Sequence, residues 1–240
     1  MTSHQPLLQA RPTDPFVRWM VRDLIPERLA TDGPNIAWIA GADTDGEVWA
    51  TALGEDPVRI ARLIEDLADE FPIDGVTVPD QAFALLPSRL QSPDHGYWCF
   101  WVLDPTDVPM LPVGAVDLAL DDPRIAVLLT HSTSAHIYPG DPRIVRWAGM
   151  VDGDRLLSVA GQITERTGAA HIVSVCTDPT VRGRGLARHA CSRIIESAIG
   201  DEVPMIVLEM YAENEAGRRT YSALGFTEVG LYRSGLLRPR

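Results

Sequence analysis

The residues best suited to chemistry lie at 175–188, where an apolar stretch ends at Pro179 and runs into a glycine-rich turn. Gly183 and Gly185 lack a Cβ, so the backbone can bend sharply there and approach a ligand closely. A helix is expected to follow, and its first N–H groups have no partner within the helix and carry partial positive charge. Such a turn favours a phosphate. Three guanidinium groups add to that preference: Arg182, Arg184 and Arg188. The alternative is an ordinary strand-to-helix turn with solvated arginines.

Two familiar phosphate-binding motifs do not fit this turn. A Walker loop requires a lysine, whereas all 21 basic residues of the chain are arginines. The dinucleotide-binding fingerprint requires a third glycine three positions after the second, where this chain has Arg188. The turn therefore predicts a phosphate site of another kind.

The spacing resembles the acyl-CoA signature of the GNAT acetyltransferase superfamily. In that signature, Gln or Arg, two residues, Gly, one residue, and then Gly or Ala follow a strand and a proline. Arg182, Gly185 and Ala187 occupy those positions. A later block also resembles the family at the usual separations: Asn214, Tyr221, Leu224, Gly225 and Phe226. One departure is Gly217, which stands where the family commonly has Ala.

The resemblance implies how acetyl-CoA would be held. The backbone N–H groups of Val175, Cys176 and Thr177 match the strand that contacts the acyl and pantetheine parts. Asn214 matches a residue that contacts the cofactor, and capping of the following helix is an equally good reading of it. The pyrophosphate site corresponds to Arg182, Gly183, Arg184, Gly185, Leu186, Ala187 and Arg188.

The resemblance also implies a general acid. Tyr221 matches the tyrosine that protonates the departing sulfur in the family, and packing beside Phe226 is the alternative. Cys176 is interpreted as a small apolar strand residue, because no histidine stands in an activating pattern with it and direct transfer is the usual route of the superfamily.

The general base is expected at His171, four residues before Val175, where several acetyltransferases place a Glu. An imidazole suits this role at neutral pH. Residues four apart on a strand face the same way, so His171 and Val175 are expected to share a side. Glu209, Glu165 and a water chain are the alternatives.

The hydrophobic pattern predicts an α/β (α+β) fold with a mixed central sheet and flanking helices. The later part reads β-β-β-α-β-α-β, the order that the resemblance implies. Residues 152–154 predict a tight hairpin between the first two of these strands. The strands are predicted at 145–150, 156–162, 171–177, 205–211 and 227–232, and the helices at 181–199 and 215–224.

The first half has no comparable motif. It predicts strands at 36–40, 48–53, 75–78 and 97–103, a helix at 56–71, and a proline-interrupted connection at 104–123. The arrangement resembles two-lobed acetyltransferases of the glycine N-acyltransferase-like group. This resemblance implies a degenerate GNAT-like lobe at 1–135 and the acetyl-CoA-binding GNAT domain at 136–240.

Charge and composition limit the function classes. Residues 1–140 hold 21 Asp and Glu against 8 Arg, an acidity that either attracts a cationic amine or only confers solubility. The pI near 4.8 and the lack of a basic stripe argue against nucleic-acid binding. No apolar stretch approaches the roughly 20 residues that span a bilayer. Three widely spaced cysteines suit a reducing cytoplasm and form no metal-ligand pattern.

The expected function is N-acetylation of a primary amine by acetyl-CoA, with direct attack in a ternary complex. The acceptor is an amine-bearing small molecule or peptide, the location is cytoplasmic, no metal or membrane is involved, and a homodimer is compatible with the sequence. Two alternatives stay open: a non-catalytic acyl-CoA sensor or scaffold, and a transferase of a larger acyl group.

Overall fold

The computed structural model describes residues 5–43 and 46–237. It divides into two compact units. The first unit comprises Met1–Phe100, Met210–Glu213 and Val229–Arg240, and the second comprises Trp101–Glu209 and Asn214–Glu228. Each unit has a mixed sheet on which helices pack.

The secondary structure alternates between short helices and strands. The helices are α1 (Pro6–Ala10), α2 (Pro57–Glu70), α3 (Asp80–Phe83), α4 (Pro123–Leu129), α5 (Leu186–Gly200) and α6 (Glu215–Ser222). The strands are β1 (Arg28–Asp32), β2 (Asn35–Ile39), β3 (Trp49–Leu53), β4 (Gly75–Pro79), β5 (Gly96–Leu103), β6 (Val116–Leu118), β7 (Ile144–Asp152), β8 (Arg155–Thr164), β9 (Ala170–Thr177), β10 (Ile206–Tyr211) and β11 (Thr227–Leu236).

In the first unit, the strands lie in the order β1, β2, β3, β4, β11. Neighbours are antiparallel, except that β3 and β4 are parallel and are joined through α2. The helix begins after Asp56, whose carboxylate accepts hydrogen bonds from the N–H groups of Val58 and Arg59. Its apolar face packs against β1, β2 and β3 and buries Ile60, Ala61, Leu63, Ile64 and Leu67.

In the second unit, the strands lie in the order β6, β7, β8, β9, β10. The first four are antiparallel in succession, and β9 and β10 are parallel. α5 joins β9 to β10 and packs against β7, β8 and β9, whereas α4 packs against β8 and β9. The core beside α4 contains the fully buried Trp147, and a Cβ on Gly161 would come within 2.6 Å of its ring. Glycine at 161 therefore makes room for the indole.

The predicted fold class and the predicted order of elements after residue 144 are confirmed. α5 begins at Leu186 rather than at 181, because Gly183 and Gly185 have φ angles of 77° and 75°, outside the helical region. The predicted connection at 104–123 contains the short strand β6, and β1 has no counterpart in the prediction. Both strands are largely exposed and lack the apolar alternation on which the prediction depends.

Among residues 5–43 and 46–237, no helix has the length and apolar character that a membrane crossing requires. In the same residues, His, Cys, Asp and Glu form no group of three or more that could hold a metal ion.

Candidate active site

β9 and β10 separate soon after they begin. They pair at their amino ends, Ala170 with Ile206 and His171 with Val207. β9 then continues to Thr177 and β10 to Tyr211, and no further pair joins these two strands, which lie wholly within the described residues. Beyond His171, the β10-facing edge of β9 therefore offers backbone hydrogen-bonding groups to a ligand.

A bulge in β9 accompanies this separation. Val173 pairs with Gly161 of β8 and Cys176 pairs with Val159, so three steps along β9 match two along β8. Ser174 lies in the bulge with a φ of 50°, in the left-handed region that non-glycine residues seldom adopt. Its Oγ donates a hydrogen bond to the carbonyl oxygen of Ile137 at 2.7 Å. This bond ties the strained residue to the segment that follows α4.

The bulge changes which side chains share a face of β9. The register puts His171, Val173 and Cys176 on one face, because their partners on β8 are alternate residues. Val175 lies in the bulge and directly precedes Cys176, so its side chain points to the opposite face. The expectation that His171 and Val175 face the same way is therefore wrong, since it assumes an unbroken strand.

The three residues predicted to contact the acyl and pantetheine parts lie at the end of β9. The carbonyl oxygen of Cys176 accepts a hydrogen bond from Ser158 Oγ at 3.0 Å, and that of Thr177 accepts one from Arg182 Nε at 3.2 Å. The Cys176 thiol donates to the carbonyl oxygen of Leu128 at 3.4 Å, and burial raises its pKa. A thiol held in the protonated form supports a packing role for Cys176.

The predicted phosphate turn follows directly. Asp178 begins it as the cap of a 3-10 turn over Pro179–Val181, and Gly183 and Gly185 then bring the chain to the start of α5. A Cβ built on either glycine would meet no atom within 4 Å. The glycines are therefore required by backbone conformation, and the space above them is open. This fits an anion bound at the first N–H groups of a 15-residue helix.

The predicted arginines have different environments. Arg182 directs Nη2 to the carbonyl oxygen of His131 at 3.4 Å, in addition to its bond to Thr177, and Arg184 is exposed. Arg188 lies about one helical turn after Gly185. Its Nε is buried and has no hydrogen-bond partner within the described residues. A buried donor of this kind is uncommon in a folded protein.

A matched pair of glycine substitutions tests the conformational requirement of the turn. Gly183→Ala should lower the free energy of unfolding by about 1 kcal/mol, because a Cβ in the left-handed region is strained even where space is free. Gly200→Ala, at the end of α5 with equally open surroundings, should be neutral or stabilising. Urea unfolding of both variants provides the measurement. Equal stability changes would contradict the assigned backbone strain.

Asp178 predicts a pH dependence of stability. Hydrogen bonds from Thr180, and then from Arg155, lower its pKa to about 2. The unfolded chain has an Asp pKa of about 3.9, so this stabilisation is complete above that value and is lost as the pH falls through the folded pKa. Asp178→Asn keeps a capping oxygen but removes the charge. The difference in unfolding free energy between Asp178→Asn and the wild type should therefore become smaller as the pH is lowered from neutrality. A pH-independent difference would assign the effect to capping alone.

Asn214 and Tyr221 lie at opposite ends of α6. Asn214 caps the helix, and its side-chain oxygen accepts the N–H of Gly217 at 2.9 Å. Tyr221 is 7% exposed, and its ring packs edge-on against Phe226 with centroids 5.9 Å apart. Both structural alternatives raised by the sequence are thus present. Neither contact excludes a role toward a ligand.

The three candidate bases lie in one region of the second unit. His171 Nδ1 and Glu165 Oε1 are 2.7 Å apart, and His171 is 7% exposed. Glu209 reaches solvent, yet the protein around it displaces enough water to raise the pKa of its carboxyl group. A positive charge on His171 or His136 would oppose that rise, and the charge of Glu165 adds to it.

Two residues near this site, His136 and Ser174, are absent from the sequence-based set. His136 precedes the Ile137 that Ser174 anchors, and the pattern around it carries no periodic signal. Ser174 sits in a strand-like stretch, and only the register between β8 and β9 discloses its left-handed backbone.

The chain matches the model of the acetyltransferase (GNAT) family over residues 60–226. It is similar to N-acetylaspartate synthetase of Rattus norvegicus, with 27% identity over 93 residues, covering 39% of this chain and 31% of that protein. The N-acetylaspartate synthetase of Danio rerio is 30% identical over 84 residues, covering 35% of this chain and 30% of that protein. The matched stretch is less than a third of either relative's length.

Solved structures show the same fold. A protein of the GNAT acetyltransferase family from Novosphingobium aromaticivorans has a TM-score of 0.52 at 19% identity, over 97% of this chain and 96% of that chain. A GCN5-related N-acetyltransferase from Kribbella flavida has a TM-score of 0.55 at 16% identity, over 86% of this chain and 88% of that chain. With a family match that covers more than half of its residues, this chain belongs to the GNAT acetyltransferase family.

Proposed function

We propose that this protein transfers an acetyl group from acetyl-CoA to a primary amine by direct attack in a ternary complex. One observation carries the proposal: the β10-facing edge of β9, left unpaired beyond His171, leads straight into an open glycine turn at the start of α5. A thioester and its pantetheine arm fit along such an edge, and a pyrophosphate fits at such a turn.

The residues around this edge fit acetyl-CoA. When bound, acetyl-CoA supplies an acetyl group activated as a thioester. The backbone of Val175, Cys176 and Thr177 would hold the acyl and pantetheine parts, and Asn214 would contact the cofactor while it caps α6. The pyrophosphate would be held by Arg182, Gly183, Arg184, Gly185, Leu186, Ala187 and Arg188. The open space over both glycines and the unpartnered Nε of Arg188 support this assignment.

His171 and Tyr221 would handle the protons of the reaction. His171 takes one proton from the acceptor ammonium, and the freed nitrogen bonds the thioester carbonyl carbon as the carbon–sulfur bond breaks. Tyr221 gives its proton to the sulfur, which keeps the electron pair of the broken bond. The second proton that the nitrogen loses restores the phenol. One proton is thus released to water for each amide formed.

The acceptor is an amine-bearing small molecule or peptide. The similarity to N-acetylaspartate synthetase makes amino acids, aspartate among them, natural members of a first acceptor panel. The degenerate lobe at 1–135, the GNAT domain at 136–240 and the cytoplasmic location stay predictions of the sequence.

Release of CoA thiol tests the proposal directly. The protein is incubated with acetyl-CoA and a panel of amines, amino acids and peptides, and free thiol is followed over time. Acceptor-dependent release and an acetylated product detected by mass spectrometry would support the transferase. Tight acetyl-CoA binding without release for any acceptor would favour the sensor alternative. Faster release from succinyl-CoA than from acetyl-CoA would favour transfer of a larger acyl group.

A further inference from the structure

His171 has one nitrogen engaged and one available. Nδ1 lies 2.7 Å from Glu165 Oε1, and because a carboxylate only accepts hydrogen bonds, Nδ1 carries the proton. Nε2 is then the basic nitrogen of the neutral ring. Within residues 5–43 and 46–237 it has no hydrogen-bond partner, although the residue is buried, with 7% of its surface exposed.

The strand register brings Glu209 to the same face as His171. His171 pairs with Val207 at the start of β10, and Glu209 is two residues further along. Alternate residues of a strand point to the same face, so Glu209 and Val207 share a face, and His171 lies beside them. Glu209 reaches solvent and has neither a hydrogen bond nor an ion pair within the described part of the chain.

This region therefore combines three groups that differ in their hydrogen bonding. One carboxylate, Glu165, is committed to the imidazole. One imidazole nitrogen is basic and unpartnered, and a second carboxylate, Glu209, is unpartnered and open to water. An amine that reaches the protein as an ammonium ion needs a carboxylate to hold it and a neutral base to take its proton.

We propose that Glu165, His171 and Glu209 form one acceptor site for protonated primary amines, with a separate role for each residue. Glu165 is a positioning residue that fixes the Nδ1–H tautomer and leaves Nε2 as the base. Glu209 accepts a hydrogen bond from the ammonium group and so presents a second N–H of that group to His171. The sequence presents these three residues as alternative general bases. In the proposed site they act together. The inference rests on the proposed acetyl transfer.

The roles predict different kinetic signatures. Glu165→Ala should lower kcat at least about 10-fold with little change in the KM for either substrate, because it disorders the base without removing a substrate contact. Glu165→Gln, whose amide oxygen can still accept from Nδ1, should recover part of that loss. Glu209→Gln should raise the acceptor KM by about 10-fold and change kcat less, because it weakens a charge-assisted hydrogen bond. Glu196→Gln, on the exposed side of α5, is the matched control and should leave both parameters unchanged.

A spectroscopic measurement on the free protein separates this inference from the proposed function. Nitrogen-15 NMR of the full chain should show His171 protonated at Nδ1 in the wild type and a mixture of tautomers in Glu165→Ala. The spectrum also reports whether the variant is folded. Equal tautomer populations in both proteins would overturn the positioning role. A large fall in kcat of Glu209→Gln with unchanged acceptor KM would make Glu209 the base and overturn the assignment. If no amine is acetylated by the wild type, the proposed function fails, whatever tautomer is observed.

Discussion

Replacing Gly185 by Asp is expected to raise the KM for acetyl-CoA about 100-fold above that of the Asn variant at the same position. The two side chains are nearly equal in size, and both tolerate the left-handed backbone that Gly185 adopts, with φ 75° and ψ 7°. They differ by one negative charge. Two unit charges about 4 Å apart interact by about 4 kcal/mol at an effective dielectric constant of about 20. Repulsion between the Asp carboxylate and the pyrophosphate at a somewhat longer distance is therefore enough for a difference of about 100-fold in KM.

The KM difference reports the charge alone, because the Asp and Asn variants should have nearly the same stability. Gly185 is the N-cap of α5, a position that Asp and Asn occupy about equally well. A Cβ there meets no neighbouring atom within 4 Å. Urea unfolding should therefore give similar free energies for the two variants, which leaves the acetyl-CoA titration to report the charge.

Ionic strength provides an independent check. The difference between the Asp and Asn variants should shrink as salt is added, because counterions screen charges at an exposed turn. Equal KM values for the two variants, or a difference insensitive to salt, would argue against a phosphate group at Gly185. The KM difference and its salt dependence can be interpreted even if the added Cβ itself weakens binding, because both variants carry that Cβ.

The parts of the fold that the sequence predicts depend on neighbours in the chain. The hairpin between β7 and β8 follows from the Asp152, Gly153, Asp154 turn, where Gly153 has a φ of 56°. The glycine turn is predicted because Gly183 and Gly185 mark positions that other residues adopt at a conformational penalty. α2 is predicted from its apolar periodicity, and the structure adds that Asp56 caps it.

The remaining features depend on pairing between distant segments. The bulge at Ser174 arises from the register of β9 against β8, and a single strand read alone continues its alternation through it. β1 is largely exposed, so it lacks the periodic apolar signal by which strands are recognised. Such features follow from tertiary context, which outweighs local preference in strands.

In the candidate site, too, the sequence predicts the individual residues, whereas their arrangement depends on distant pairing. Sequence reasoning selects His171, Glu165 and Glu209 as separate candidates, because no local pattern relates the start of β9, the turn before it and the middle of β10. The turn before β9 places Glu165 against His171, and the register of His171 with Val207 places Glu209 on the same face. His136 comes from the segment after α4, and its electrostatic effect on Glu209 depends on tertiary structure that no spacing rule encodes.

Replacing Tyr221 by Phe is expected to lower kcat about 100-fold, the range that loss of a general acid produces. The variant removes one oxygen and keeps the ring that packs edge-on against Phe226 at 5.9 Å. The helix that carries Tyr221 keeps its Asn214 cap. Unfolding measurements should therefore show a much smaller change than the kinetics.

Tyr138→Phe is the matched control. It removes the same atom from an exposed tyrosine, whose hydroxyl donates to the carbonyl oxygen of Ala135 at 3.2 Å. No role in the reaction is assigned to that hydroxyl, so turnover should be unchanged. A similar loss in both variants would indicate a general effect of hydroxyl removal on this unit.

The ratio of kinetic parameters distinguishes the acid role of Tyr221 from packing. A proton given to the departing sulfur stabilises only the transition state, so kcat and kcat/KM for acetyl-CoA should fall by the same factor while its KM stays nearly constant. Loss of packing beside Phe226 would instead lower stability and leave the kcat of the folded fraction intact. Unchanged turnover in Tyr221→Phe would remove the tyrosine from the reaction and leave water as the proton donor to the sulfur.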